Sequence, residues 1–244
     1  MSNEPRTADV IVIGGGIHGC STALHLARRG LSVIVIEKDY PGRHSSGVNA
    51  GGVRQLARHV AEIPLSVASM ELWERIEDMV GDDCGFVSHG QVLVAETDAE
   101  MDVFRARVTE LNTLGYTHEE LIDAKELKRL VPAVSDTCPG GVVSRRDGFA
   151  DPFRTTQAFR KAAIAAGATF REGVRVTGLA RAGGTWTVET DAGSFEAPKV
   201  VNAAGAWADR IAAAVGEPVP LEVIAPMLMI TSRVPEFIRP VVIL

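Results

Sequence analysis

The 244-residue sequence predicts an α/β protein built on a parallel sheet, and three observations predict it. Val10-Ile-Val-Ile13 is a β-branched run, as in a strand buried on both faces. Gly14-Gly-Gly16-Ile-His-Gly19 is a glycine turn that opens a helix. Val33-Ile-Val-Ile36 is a second β-branched run, closed by the acid Glu37. Strand, glycine turn, helix, strand and acid in this order open a Rossmann unit, the fold that holds a dinucleotide.

Each part has a physical reason. Gly14 allows the tight turn out of the strand, Gly16 lets the backbone approach a pyrophosphate, and Gly19 allows close helix packing. The helix start offers free N–H groups and a positive dipole end to phosphates. Ala23, Leu24, Leu26 and Ala27 give a small apolar packing face, and Gly30 ends the helix. Glu37 is placed to accept both ribose hydroxyls and disfavours a 2′-phosphate.

The rest of the chain follows in order. Lys38 to Arg54 is rich in Gly and Ser and reads as a loop shaped around a ligand. Pro64–Val80 has helical spacing, Phe86–Ala95 alternates as a strand with a kink at Gly90, and Asp98–Leu114 is an amphipathic helix. Ile122–Leu130 reads as a shorter helix stopped by Pro132. Gly140–Ser144 is a short strand, Asp147–Asp151 a turn, and Asp151 caps a helix from Pro152 to Gly167. Thr169–Leu179 reads as one strand, with a hairpin around Asp191-Ala-Gly193 after it. Lys199–Gly205 is a buried strand, with a helix over Trp207–Val215. The nucleotide-binding part is therefore interrupted by a mixed insertion and resumes near Gly140.

Composition narrows the class. Hydrophobic residues make up 46% and charged residues 23%, as in a globular protein. The net charge of −6 argues against nucleic acid or an anionic membrane as partner. No apolar run approaches the length of a membrane span, and Met1–Thr7 lacks the apolar core of a signal peptide. Cys20, Cys84 and Cys138 are scattered and odd in number, so neither a metal site nor a disulfide framework is expected, and a reducing, cytoplasmic setting is. Cys20 reads as a small helix-packing residue.

Four stretches together resemble a known family: the glycine turn with Glu37, Ser45-Ser-Gly-Val-Asn-Ala-Gly-Gly-Val-Arg54, Asp147-Gly-Phe-Ala-Asp-Pro152, and Val200-Val-Asn-Ala-Ala-Gly-Ala-Trp-Ala208. In this order they are similar to the FAD-dependent D-amino acid oxidase superfamily, in the branch of glycine oxidase, sarcosine oxidase β-subunit and D-amino acid dehydrogenase-like proteins. The resemblance implies a Rossmann-type FAD-binding domain over residues 1–82 and 138–218, interrupted by an α+β substrate-domain insertion, with 83–137 and 219–244 as the partial substrate domain.

It also implies site residues. Gly14, Gly16 and Gly19 would meet the pyrophosphate, and Glu37 the adenosine ribose. Val176 would pair its backbone with adenine, Ala204 and Gly205 would pass close to the cofactor, and Ala50, Gly51, Gly52 and Val53 would run past the flavin ring. Ile17, His18, Lys38, Arg43, Ser45, Ser46, Asn49 and Trp207 complete the implied cofactor-binding set. By residue type alone, His18 faces out or packs on a loop, Arg43 is a pyrophosphate contact or exposed, and Trp73 and Trp207 are core or rim residues. His44 and His59 read as structural or solvent-facing. Arg54 either holds a substrate carboxylate or is solvated or phosphate-facing.

The implied reaction is oxidation of a small amino or imino acid by hydride transfer to flavin N5, with O2 or a quinone taking the electrons and homo- or hetero-oligomers open. The alternative is a non-catalytic or partner-dependent FAD-binding chain; the Gly-Ser loop and Asn202–Gly205 argue against a nicotinamide enzyme. Related β-subunits carry a histidine for covalent FMN near a turn like Arg145–Gly148; Arg146 stands there, so covalent FMN is not expected. Family members continue past Leu244, and Leu221–Ile230 and Val241–Leu244 look like strands entering the substrate domain. A C-terminally truncated member is expected, with a minimal flavoprotein or a subunit of a complex as the alternatives.

Overall fold

A computed structural model describes residues 5–224, 226–232 and 234–244. Its elements in chain order begin with β1 (Val10–Ile13), α1 (Ile17–Ala27), β2 (Val33–Glu37), β3 (Gly52–Val53), α2 (Ile63–Trp73) and α3 (Ile76–Val80). Next come β4 (Gln91–Ala95), α4 (Asp98–Thr113), β5 (Glu120–Asp123), α5 (Ala124–Leu130), β6 (Gly140–Ser144) and β7 (Gly148–Phe149). The chain continues through α6 (Pro152–Ala165), β8 (Thr169–Glu172), β9 (Val176–Ala182), β10 (Thr185–Thr190) and β11 (Phe195–Ala197). It closes with β12 (Lys199–Asn202), α7 (Ala208–Ala213) and β13 (Val241–Ile243). Two compact units result. The first holds Met1–Asn49, Val80–Cys84 and Asp151–Leu228; the second holds Ala50–Met79, Gly85–Ala150 and Met229–Leu244.

The first unit is built on a parallel sheet in the order β12-β1-β2-β8. Every residue of β1 and β2 is buried, as their β-branched runs require. Ile11, Ile13, Ile34 and Ile36 pack on Val188, Phe195 and Ala197 of a small antiparallel sheet, β11-β10-β9. The alternate residues face α1, where Val12 meets Gly19, and α1 packs against α6. Asp151 caps α6 as expected, its carboxylate accepting the Arg154 N–H at 2.8 Å.

The second unit carries a mixed sheet, β13-β4-β6-β5, in which β13 runs parallel to β4 and the other pairs are antiparallel. Val92, Val94, Ile122, Leu127, Val131 and Val143 form its core. A Thr97–Glu100 capping box starts α4: the Thr97 hydroxyl accepts the Glu100 N–H, and the Glu100 carboxylate accepts the Thr97 N–H.

Several expectations need correction. Pro64–Val80 is not one helix; it breaks between Trp73 and Ile76. Ile122 lies in β5, not in a helix, because Asp123 caps a helix beginning only at Ala124. Thr169–Leu179 divides at Gly173, whose φ of +69° turns the chain out of the parallel sheet and into the antiparallel one. β6 hydrogen-bonds to β4 and β5 in the second unit, so the chain joins the first unit at Asp151 rather than near Gly140. The described residues of Leu221–Ile230 form no strand, whereas Val241–Ile243 does.

Candidate functional site

The chain leaves β1 at Gly14, whose N–H donates to the Ile36 carbonyl at 2.8 Å. Its φ is +108°, and a Cβ there would lie 2.4 Å from the Ala203 carbonyl oxygen. A Cβ on Gly19 would lie 1.9 Å from the Gly14 carbonyl oxygen. The third glycine thus lets α1 close on the turn itself, not only on the sheet. A Cβ on Gly16 would meet the Ser46 hydroxyl at 2.9 Å, so the Gly-Ser loop lies directly against the turn. The same hydroxyl accepts the Ile17 N–H at 3.0 Å, and Gly16 gives α1 no side-chain cap.

Glu37 stands at the end of β2, only 8% exposed. Its Oε2 accepts the Gly15 N–H at 2.7 Å and its Oε1 the Asp39 N–H at 2.9 Å. Each oxygen keeps a lone pair, so the carboxylate is fixed in place and still able to accept hydroxyl groups.

A cleft of about 290 Å3 opens here, entirely within the first unit. It brings together Gly14, Gly16, Glu37, Lys38, Arg43, Ser45, Ser46, Val176, Ala204, Gly205 and Trp207 from the sequence-derived set. Cys20 lies beneath the turn, its thiol donating to the Gly15 carbonyl, and burial pushes its pKa up to about 12. It is an inert packing residue there.

Other residues of the set stand elsewhere. His18 is exposed on the first turn of α1, and the Asn49 amide donates to the Ser45 carbonyl at 2.9 Å. Ala50–Arg54 belong to the second unit, where Gly52 and Val53 pair with Phe149 and Gly148. The Arg54 guanidinium donates to the Leu56 carbonyl at 3.2 Å. The residues after it are anchored by Asp147, which is fully buried and accepts the N–H groups of Gln55 at 2.9 Å and Leu56 at 2.8 Å. Burial raises the Asp147 pKa above the ordinary carboxylate value.

Sequence reasoning missed parts of the cleft. His44, read as structural or solvent-facing, lines the cleft, its ring centroid 4.8 Å from that of Trp207. Lys38 stands over the Trp207 ring at 4.3 Å. Hydrogen bonds from Lys38 and His44 hold the Asp39 carboxyl down to about 2. Arg175 and Arg210 also line the cleft, and β-strand and helix periodicity gave no sign of them. His59, by contrast, is exposed and accepts the Ala61 N–H at 3.2 Å, a structural role. Trp73 packs on Phe86.

A glycine-lined cleft at the carboxyl ends of parallel strands, with a fixed carboxylate beside a helix start, defines a dinucleotide-binding fold. Arg43, Arg175 and Arg210 line the cleft with Lys38, which pairs with Asp39, and Glu37 is the carboxylate of the lining, a set that suits a pyrophosphate. The chain belongs to the FAD dependent oxidoreductase family, DAO, whose model matches residues 9–242. The family is FAD-dependent, and the cleft's glycine turn, fixed carboxylate and cationic side chains fit the pyrophosphate and ribose of that cofactor.

Dimethylglycine dehydrogenase of rat mitochondria is 32% identical over 232 residues, covering 94% of this chain and 27% of the rat protein. L-proline dehydrogenase from P. horikoshii superposes with a TM-score of 0.80 at 32% identity, over 87% of this chain and 57% of that one. Glycine oxidase from Geobacillus kaustophilus gives 0.79 at 28% identity, over 86% and 59%. The chain therefore spans about a quarter of its curated relative and less than two thirds of these solved structures. Among the described residues, no helix is long and apolar enough to cross a membrane.

Proposed function

We propose that this chain carries the FAD-binding domain and part of the substrate domain of an oxidoreductase that acts on the C–N bond of a small amino or imino acid. The first unit is the FAD-binding domain in this reading, and the second contributes to the substrate domain. The observation that carries it is the cleft lined together by Gly14, Gly16, Glu37 and Ala204–Trp207.

FAD, when bound, supplies a two-electron acceptor at flavin N5. The residues of the chain do the rest. The glycine turn admits the pyrophosphate, and the N–H groups at the start of α1 stabilise its charge. Glu37 accepts the ribose hydroxyls, and the Val176 backbone pairs with adenine. Arg54 would hold the substrate carboxylate so that the reacting C–H bond is oriented. Asp147 positions Arg54 by anchoring Gln55 and Leu56. O2 or a quinone would take up the electrons.

The relatives are named for dimethylglycine, proline and glycine, which makes these the first substrates to try. The experiment is an absorbance titration with FAD, followed by turnover of dimethylglycine, sarcosine, glycine, L-proline and D-alanine with a dye acceptor. A flavin spectrum and oxidation of at least one substrate are expected. A protein that binds FAD and oxidises none of them alone, but does so with a co-purified partner, would favour the partner-dependent reading. The exposed apolar side chains of Leu228, Met229 and Ile230 suit that reading.

A further inference from the structure

Ala57 has a φ of +56°, a left-handed conformation that is unfavourable for alanine. The residue is exposed, so packing of its own methyl group does not impose it. The constraint comes from the peptide group before it. The Ala57 N–H donates to Glu119 Oε1 at 2.8 Å, and the Leu56 carbonyl accepts from the Arg54 guanidinium at 3.2 Å. These are the two ends of one planar peptide, so fixing one end aims the other. Rotating that peptide by half a turn would give Ala57 a negative φ and would break both hydrogen bonds.

Glu119 is itself fixed. Its carboxylate is buried, and Arg107 grips it from Nε to Oε2 at 2.8 Å and from Nη2 to Oε1 at 2.7 Å. Arg107 Nη2 also donates to the Arg58 carbonyl at 2.8 Å, on the far side of the same turn. A buried ion pair is a poor source of stability, and this one directs further hydrogen bonds to the backbone of Ala57 and Arg58.

We infer that Glu119 is a positioning residue for Arg54: paired with Arg107, it holds the Leu56–Ala57 peptide so that the Leu56 carbonyl fixes the guanidinium. That contact uses one Arg54 N–H and leaves the guanidinium further donors. The inference rests on the reading of Arg54 as the holder of the substrate carboxylate. The latch itself lies wholly within the second unit.

The test is NMR relaxation at the Arg54 Nε–H of the FAD-loaded protein, with an acetate titration on the same samples. Acetate carries a carboxylate and no C–N bond, so neither readout needs turnover. Ala57→Gly tolerates the positive φ and should leave Arg54 ordered. Ala57→Val is β-branched and disfavours that φ, and Glu119→Gln puts an amino group where a carboxylate oxygen accepts. Each should lower the Arg54 order parameter and weaken acetate about ten-fold. Combining Glu119→Gln with Ala57→Gly should recover most of the loss, a rescue that a merely stabilising role would not give. Equal Arg54 order in every variant, or equal loss in Ala57→Gly and Ala57→Val, would overturn the inference. Acetate that fails to bind the unaltered protein, while Arg54 order still depends on Glu119, would sink the carboxylate reading and leave the latch standing. If Glu119→Gln does not fold, the contrast between Ala57→Val and Ala57→Gly at an exposed position decides.

Discussion

Single residues carry the site through what they leave out as much as what they present. Gly19→Ala would drive a methyl group into the Gly14 carbonyl, a backbone atom with no flexible end to move aside. We expect it to cost about 3 kcal/mol of stability and abolish FAD retention, checked by urea denaturation and the flavin spectrum. Asp147 separates charge from hydrogen bonding. Asp147→Asn keeps an oxygen for Gln55 and Leu56 and should change stability by less than about 1 kcal/mol; Asp147→Ala should cost about 2–3 kcal/mol. His118 gives a pH signature. Its folded pKa lies below the ordinary 6.5, so between the two values the unfolded state binds more protons. This contribution to stability is complete above pH 6.5 and is lost as pH falls through the window. His118→Phe should remove that part of the acid slope in denaturation curves measured from pH 7 to pH 5. The glycines and Glu37 were legible because their spacing is rigid. His44, Arg175 and Arg210 were not, because an isolated polar residue has no period.

At the scale of elements, local chemistry predicted wherever it was self-contained. The Asp151 cap and the buried β1 and β2 runs depend on neighbours in sequence. Thr97→Ala should cost about 1 kcal/mol and fray the start of α4, seen as faster amide exchange at Asp98–Met101. Reading failed where partners were distant. Ile122 was given to a helix because its apolar spacing fits either period, and only β6 makes it a strand. Gly148, an ordinary turn glycine in sequence, has room for no side chain: a Cβ would lie 1.9 Å from the Val87 carbonyl oxygen.

For the whole molecule, both units are discontinuous, so each is completed only when distant segments meet. FAD at a hundred times its Kd should stabilise the protein by about 2.7 kcal/mol, and NADP should not, because a buried carboxylate at the end of β2 disfavours a 2′-phosphate. A thermal-shift comparison of the two nucleotides checks this. The three cysteines are buried, and burial pushes Cys20 up to about 12 and Cys84 up to about 11. Iodoacetamide at pH 8 should therefore leave the native thiols unmodified and label all three after denaturation.

The sequence by itself determined the parallel sheet, the glycine turn and the acid at the end of β2, because each is written in short-range spacing that one buried strand and one helix start enforce; the FAD family came from the resemblance of four ordered stretches. Tertiary structure alone decided which sheet Gly140–Ser144 joins, how Glu37 is pinned by Gly15 and Asp39, and how Asp147 anchors the residues after Arg54. Those arrangements join residues up to 92 positions apart, and no local period records a partner at that distance.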